Sequence, residues 1–196
     1  MPRTFAELRR TDDLAAEADR GVRDFVSSVV GGAPHVVVLA PGEGLVETAA
    51  RDNVFALLPG DHGGFTLTRT NTLVLGHAGA RVRSQVVVRA DCRLVGLHFL
   101  AAAGRTGVLR LVDVQLTATA LFERCRFEKA PNMAGDFVGM AAGSFAHFVG
   151  CLFGPAMGAG TFTVDNAGLA ANASVVGCSR KTTLLHNNVT VLSETT

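Results

Sequence analysis

The sequence predicts an all-β protein, a right-handed parallel β-helix preceded by a short N-terminal α-helix. Three observations support this fold class. Residues 11–30 have the apolar spacing of a helix, short apolar runs alternate with Gly, Asn, Asp and Pro from Pro34 onward, and a six-residue pattern recurs five times. The predicted domains are therefore a helical segment at residues 1–33, for assembly or capping, and a β-helix domain at residues 34–196.

The N-terminal helix is predicted over residues 11–30. Thr11 or Asp12 can cap its start, and two glycines at 31–32 end it. Its apolar side chains recur at spacings of three and four and form one stripe, which consists of Leu14, Ala18, Val22, Phe25 and Val29. A single short helix cannot bury such a stripe by itself. We expect it to pack on the rest of the chain or on copies of itself, for example in a three-stranded association.

The rest of the chain reads as β-structure. Its apolar runs are short, are often built from β-branched residues and are separated by turn-forming residues. No second long helical pattern lies between them, which excludes alternating β-α-β units. The domain is therefore predicted to be all-β.

Five segments align without gaps and indicate which all-β fold this is. They are Leu94–Phe99, Leu111–Leu116, Phe122–Phe127, Phe148–Phe153 and Val175–Arg180. Apolar residues at positions one, four and six break strict alternation once, at the third position, which is Gly, Asp or Arg. A strand, a one-residue bend and a second strand would produce this pattern, because the bend resets which face points inward.

In a β-helix, equivalent side chains of successive turns stack at the strand spacing of ~4.8 Å. The fourth position then forms an interior ladder of Cys125, Cys151 and Cys178, which Leu97 and Val114 extend. The sixth position forms a second inward stack of Phe99, Phe127 and Phe153. We interpret the thiols as small buried hydrophobes, since the chain has no CxxC or CxxH pair and cytosolic proteins rarely form disulfides.

The spacing of the repeat leaves the fold open at one point. Most of its starts are far enough apart for one turn plus a loop, but the interval from Leu111 to Phe122 is too short for a full turn. Either segments 111–116 and 122–127 lie on different sides of one turn, or part of the repeat is coincidental. A β-sandwich or jelly roll is therefore the alternative architecture.

The stretches Thr72–Val82 and Val86–Phe99, with the later Gly-Cys segments, resemble the pectate-lyase-like parallel β-helix superfamily. Val36–Gly42 resembles the usual entry to that fold, and the resemblance covers roughly residues 34–192. It implies the architecture rather than an activity, because the superfamily includes lyases, hydrolases and inert virion parts. The leading helix and the small size are similar to phage tailspikes and other virion proteins, which often assemble as trimers.

The resemblance implies that an enzyme of this kind would act through clustered carboxylates or through a cation-assisted Arg or Lys base. A working cluster needs at least two carboxylates at matching positions of neighbouring turns. The candidates are Asp113, Glu123, Glu128, Asp136 and Asp165. Asp113 aligns with glycines and Glu123 with valines, so neither is predicted to stack on another acid. We interpret the acids as turn residues and as partners of Arg124 or Arg126, and the scattered histidines as structural. No catalytic, cofactor or metal site is predicted.

The second position of the repeat holds Val95, Val112, Glu123, Val149 and Val176. If it points outward, these valines form an apolar strip that needs a partner surface; if it points inward, they belong to the core.

Residues 69–129 hold ten Arg and Lys against four Asp and Glu, a net charge of +6, and can face an acidic surface. Residues 131–160 read as the longest irregular insert and as a candidate contact loop.

These observations predict a non-enzymatic structural component of a phage-type virion. The protein would be a homotrimer that binds other virion proteins, either as a capsid decoration or cement protein or as a short tail or spike part. A carbohydrate-active enzyme or glycan-binding β-helix module is the alternative, and an intracellular scaffold is a third hypothesis. The charged N-terminus lacks a secretory signal and no apolar run reaches ~20 residues, so synthesis in the host cytoplasm and no membrane contact are expected.

Overall fold

The computed structural model describes residues 36–49, 53–100, 110–115, 117–128, 137–154, 160–165, 171–180, 184–187 and 189–195. These parts of the chain contain strands and their connections but no helix, and consequently no helix with the length and hydropathy of a membrane span. The predicted N-terminal helix and the domain boundary at residue 33 lie outside the described residues. The described chain is all-β.

Twenty strands follow one another in these residues. They are β1 (Val36–Leu39), β2 (Val54–Leu57), β3 (Gly60–His62), β4 (Thr66–Leu67), β5 (Thr72–Gly76), β6 (Ala80–Val82), β7 (Val86–Val88), β8 (Cys92–Val95), β9 (His98–Leu100), β10 (Val112–Val114), β11 (Thr119–Glu123), β12 (Arg126–Glu128), β13 (Val138–Ala141), β14 (Phe145–Val149), β15 (Leu152–Phe153), β16 (Gly160–Asp165), β17 (Ala171–Val176), β18 (Ser179–Arg180), β19 (Leu184–Asn187) and β20 (Val189–Thr195).

The strands form three sheets, which the chain visits in a fixed order. Sheet 1 has the order β1-β2-β5-β8-β11-β14-β17-β20, sheet 2 the order β3-β6-β9-β12-β15-β18, and sheet 3 the order β4-β7-β10-β13-β16-β19. From β2 onward each strand of sheet 1 is followed by one of sheet 2 and then one of sheet 3. All described strand pairs are parallel. A sandwich or jelly roll would instead pair its strands antiparallel.

Alternating side chains of all three sheets meet in one core. Phe55 and Val74 of sheet 1, Val82 of sheet 2, and Val86 and Val138 of sheet 3 belong to the same buried apolar cluster. Because side chains of a strand point to opposite faces in turn, the residues between them point away from this core. Each sheet therefore has one face in the core and one outward face.

The bend predicted at the third position of the repeat lies between sheets 1 and 2. Gly96, Arg124, Gly150 and Gly177 occupy it in successive passes of the chain, with φ values of 66°, 50°, 59° and 58°. Glycine adopts this left-handed conformation without steric cost, whereas an L-residue such as Arg124 does not. The bend is therefore a backbone requirement, which explains why three of the four residues are glycine.

Segment 111–116 does not belong to this repeat, although its letters align with the other four. Val112, Asp113 and Val114 form β10 of sheet 3 and pair with β7 and β13. The short interval from Leu111 to Phe122 thus separates two different sheets. The prediction that Val114 extends the cysteine ladder is wrong, because Val114 faces the core from another side.

The interpretation of residues 131–160 as one irregular insert is also wrong. Strands β13, β14 and β15 lie inside this stretch, one in each sheet. Glycine-rich sequence obscured β13, since glycine has a low strand propensity, whereas the repeat segment Phe148–Phe153 overlaps β14 and β15. Residues 131–136 and 155–159 lie outside the described residues.

Replacing Gly96 with alanine is expected to destabilise the protein by more than the same change at Gly177. Both positions have a left-handed φ, which costs an alanine about 1–2 kcal/mol. At Gly96 the new Cβ would also lie 3.0 Å from the carbonyl oxygen of Gly76, whereas at Gly177 it meets nothing within 4 Å. Urea denaturation of the two variants and the unmodified protein measures both effects. Equal stability of all three proteins would contradict the bend assignment.

Candidate functional site

Three of the four cysteines lie side by side in successive passes of the chain, directly after the bend that joins sheet 1 to sheet 2. The parallel register of sheet 1, continued past the bend, places Leu97, Cys125, Cys151 and Cys178 in one line, which we call the thiol column. Two backbone hydrogen bonds support this alignment. The Leu152 amide donates to the Cys125 carbonyl at 2.8 Å, and the Ser179 amide donates to the Cys151 carbonyl at 2.9 Å. All members are buried in the core.

Each thiol of the column donates a hydrogen bond to a carbonyl on the preceding strand of sheet 1. The Sγ-to-oxygen distances are 3.3 Å from Cys125 to Leu94, 3.3 Å from Cys151 to Phe122 and 3.4 Å from Cys178 to Phe148. The three bonds repeat because the strands repeat. A thiol satisfied in this way packs as a small apolar side chain.

Burial and mutual contact keep Cys151 and Cys178 protonated. The hydrogen bond with Cys125, together with burial, raises the pKa of Cys151 to about 12. The hydrogen bond with Cys151 and burial also raise the pKa of Cys178. Cys92 lies in another column of sheet 1, opposite Ala120, and burial raises its pKa to about 12. A thiolate, the reactive form of cysteine, is therefore strongly disfavoured at Cys92, Cys151 and Cys178.

The phenyl rings form two further columns in the core. In sheet 2, Phe99 stacks on Phe127 at a centroid distance of 5.0 Å, and Phe127 on Phe153 at 5.1 Å. In sheet 1, Phe122 stacks on Phe148 at 4.9 Å, a pair that the sequence analysis did not anticipate. Phe99 meets Phe122 edge to face at 6.2 Å, so the two columns interlock. These rings tie sheets 1 and 2 together.

The valines proposed as an interface separate into three groups. Val149 and Val176 point outward from sheet 1 and are 41% and 40% exposed. Val95 occupies the same outward line but is only 5% exposed, and Val112 is a fully buried core residue of sheet 3, so the prediction is wrong for Val112. The helical members Leu14, Ala18, Val22, Phe25 and Val29 lie outside the described residues.

Two of the candidate carboxylates form ion pairs on the outward faces. Arg93 reaches Glu123 on the next strand with two nitrogens, at 3.0 and 2.7 Å. Asp113 accepts hydrogen bonds from Arg110 at 3.3 Å and from Gln115 at 2.7 Å. Asp136 lies outside the described residues, and Asp165 is a residue of β16 whose side chain is not described.

Glu128 forms a cluster with His98 and Arg126 on the outward face of sheet 2. Its Oε2 lies 2.8 Å from His98 Nε2 on the neighbouring strand, and its Oε1 accepts a hydrogen bond from Arg126. Burial would raise the pKa of Glu128, but the bonds from Arg126 and His98 outweigh it and hold this pKa below its usual value. Burial lowers the pKa of His98 despite the Glu128 carboxylate. A neutral imidazole therefore donates to a carboxylate.

The cluster continues a row of charged and polar residues along sheet 2. The parallel register places Asp61, Arg81, His98 and Arg126 on consecutive strands in one outward line. Arg81 and Arg83 both contact Asp61, at 2.6 and 3.1 Å. Sequence reasoning missed this row because its members lie far apart in the chain and share no motif. Only the repeated passage through sheet 2 brings them together.

Among the described residues, no three His, Cys, Asp or Glu side chains converge as metal ligands would. His62 is buried and its Nε2 lies 2.8 Å from the Leu58 carbonyl, and the ring centroid of His147 lies 4.3 Å from that of Phe145.

Comparisons with protein-family models, with curated proteins and with solved structures found no match for this chain.

The native protein is expected to resist thiol reagents at about pH 8. The high pKa of Cys92 and Cys151 and the burial of all four free thiols leave almost no accessible thiolate. Titration with Ellman's reagent should give no rapid reaction in buffer and four reacting thiols in guanidinium chloride. Rapid reaction of any cysteine in the folded protein would show that at least one of the four buried thiols is open to solvent.

Proposed function

We propose that the three sheets are the faces of a right-handed parallel β-helix. The cyclic order of the strands, their parallel pairing and the stacked Cys and Phe columns support this proposal. The right-handedness of this β-helix is inferred from the general rule that crossover connections between parallel strands of one sheet are right-handed. Each pass through sheets 1, 2 and 3 is then one turn of the helix.

We further propose that the protein is a non-enzymatic structural component of a phage-type virion, either a capsid decoration or cement protein or a short tail or spike part. The observation that carries this proposal is the in-register parallel order of the sheets. A rod of stacked strands with a continuous core is stiff along its axis, which suits a part that must hold its shape on a particle.

Polar contacts between neighbouring strands add to this stiffness. Arg93 and Glu123 lie on adjacent strands of sheet 1, and His98 and Glu128 on adjacent strands of sheet 2. Such contacts join one turn to the next rather than leaving the charges for a ligand. Exposed pairs contribute little individually, about 0–1 kcal/mol, but they restrain neighbouring strands.

Two valines supply a subunit contact in this proposal. Val149 and Val176 are adjacent in the register and present a small apolar surface on sheet 1. Trimers around a three-fold axis bring the same face of each subunit together. The basic stretch 69–129 faces acidic surfaces of other virion proteins, and the assembled virion is the site of action.

The double variant Val149→Asp with Val176→Asp is expected to convert a trimer into a monomer. Charges on this surface repel one another across the axis, while the fold loses little because both side chains are exposed. Val46→Asp is the matched control, since Val46 is 72% exposed on a loop outside this surface. Size-exclusion chromatography with light scattering measures the mass, and thermal melting tests the fold.

Either of two results would contradict the assembly proposal. If the unmodified protein is a monomer at micromolar concentration, the proposal of a trimer is wrong. A trimer that survives the double variant places the subunit contact elsewhere.

A second function, a carbohydrate-active enzyme or glycan-binding module, is favoured by the His98–Glu128 dyad. A histidine that donates Nε2–H to a carboxylate has its other nitrogen, Nδ1, available as a base. The dyad lies beside Arg81 and Arg126, whose guanidinium groups can hold an acidic or hydroxyl-bearing ligand.

Incubation with a panel of neutral and acidic polysaccharides distinguishes this function from the structural one. Cleavage or binding that is lost in His98→Asn, and kept in His77→Asn at an exposed position, would establish it. If neither cleavage nor binding occurs with any polymer, the glycan function fails.

A further inference from the structure

An apolar cluster lies on the outward face of sheet 1, opposite the core. Its members are Val54, Ala56, Leu73, Leu75 and Val95, on strands β2, β5 and β8. They alternate with Phe55, Val74 and Leu94, which point into the core. The outward cluster nevertheless has exposures of only 1% to 7%. We call these five residues the outer cluster.

The described neighbours in the same layer do not account for this burial. The partly buried apolar side chains that pack against the outer cluster are Val36 and Leu58. Val36 pairs with Val54 and so lies beside the cluster in the same sheet rather than over it. A sheet face flanked only by lateral neighbours remains open to solvent on its outer side.

The same line of residues shows what an uncovered position looks like. Leu75 and Val95 are 1% and 5% exposed, whereas Val149 and Val176, in line with them on β14 and β17, are 41% and 40% exposed. Something therefore covers β2, β5 and β8 but stops before β14. The Arg93–Glu123 ion pair, between β8 and β11, marks the polar border of the covered area.

We propose that residues 11–30 of the same chain cover the outer cluster as an amphipathic helix. The apolar stripe of this segment, from Leu14 to Val29, needs an apolar surface, and the outer cluster is an apolar surface that needs a cover. Three strands spaced ~4.8 Å apart span about 10–15 Å, a length that about ten helical residues match. The segment is long enough.

Chain connectivity favours this occupant over others. The chain enters sheet 1 at Val36, on the strand next to Val54, and only residues 31–35 separate the segment from that strand. Two glycines and a proline in this connection permit a reversal. A segment tethered so closely has a high effective concentration at the cluster. Residues 101–109 instead join β9 of sheet 2 to β10 of sheet 3.

Labelling of an introduced cysteine in the full-length chain tests the proposal. Leu75→Cys places a thiol under the proposed helix, and Val176→Cys places one in the same outward line beyond it. With maleimide, we expect Leu75→Cys to react slowly and Val176→Cys quickly. Adding Phe25→Asp and Val29→Asp should accelerate labelling at position 75 by at least about tenfold and leave position 176 unchanged.

Three results would overturn the proposal. Unchanged protection at position 75 in the Asp-substituted chain would show that residues 11–30 do not cover the cluster. Protection that is lost on dilution, together with a fall in molar mass, would assign the cover to a second copy. Equal acceleration at positions 75 and 176 would show general loosening of the sheet. None of these outcomes depends on the virion assignment, which the mass of the unmodified protein tests separately.

Discussion

The whole structure depends on parallel strands that stack in register, so that each side chain meets its equivalent on the next strand. The phenyl columns show the constraint directly, because their centroid spacings of 4.9 to 5.1 Å are close to the separation of hydrogen-bonded strands. The phenyl rings and the hydrogen-bonded strands therefore repeat at nearly the same spacing. A shift of one residue in β9, β11, β12, β14 or β15 would turn its phenyl ring outward and remove it from its column.

The same constraint organises the outside of the molecule, where the chemistry differs from sheet to sheet. Sheet 2 collects a polar row in which the neutral His98 lies between the charged Arg81 and Arg126. Sheet 1 collects an apolar line that runs from Leu75 to Val176, interrupted by Glu123. In each case residues far apart in the chain become neighbours at the strand spacing. Outward lines of this kind are where stacked parallel strands present surfaces for assembly or binding.

The sequence pattern predicted the structure correctly where the backbone conformation restricts which residue types fit, and incorrectly where many residue types fit. The bend between sheets 1 and 2 requires a left-handed residue, so glycine at positions 96, 150 and 177 exposed the repeat. Segment 111–116 carries similar letters but lies in sheet 3, because an apolar–polar–apolar alternation fits any of the three faces. The residue pattern of a segment therefore does not show which sheet its strand joins.

By itself the sequence determined the strand-rich, all-β character, the bend, and the alignment of the three later cysteines and of Phe99, Phe127 and Phe153. It did so because burial and φ restrict residue type locally. Only the tertiary structure decided which strands share a sheet, that Val95 is covered while Val149 is open, and that Glu128 meets His98. These depend on contacts between residues that are distant in the chain, and no local preference encodes such contacts.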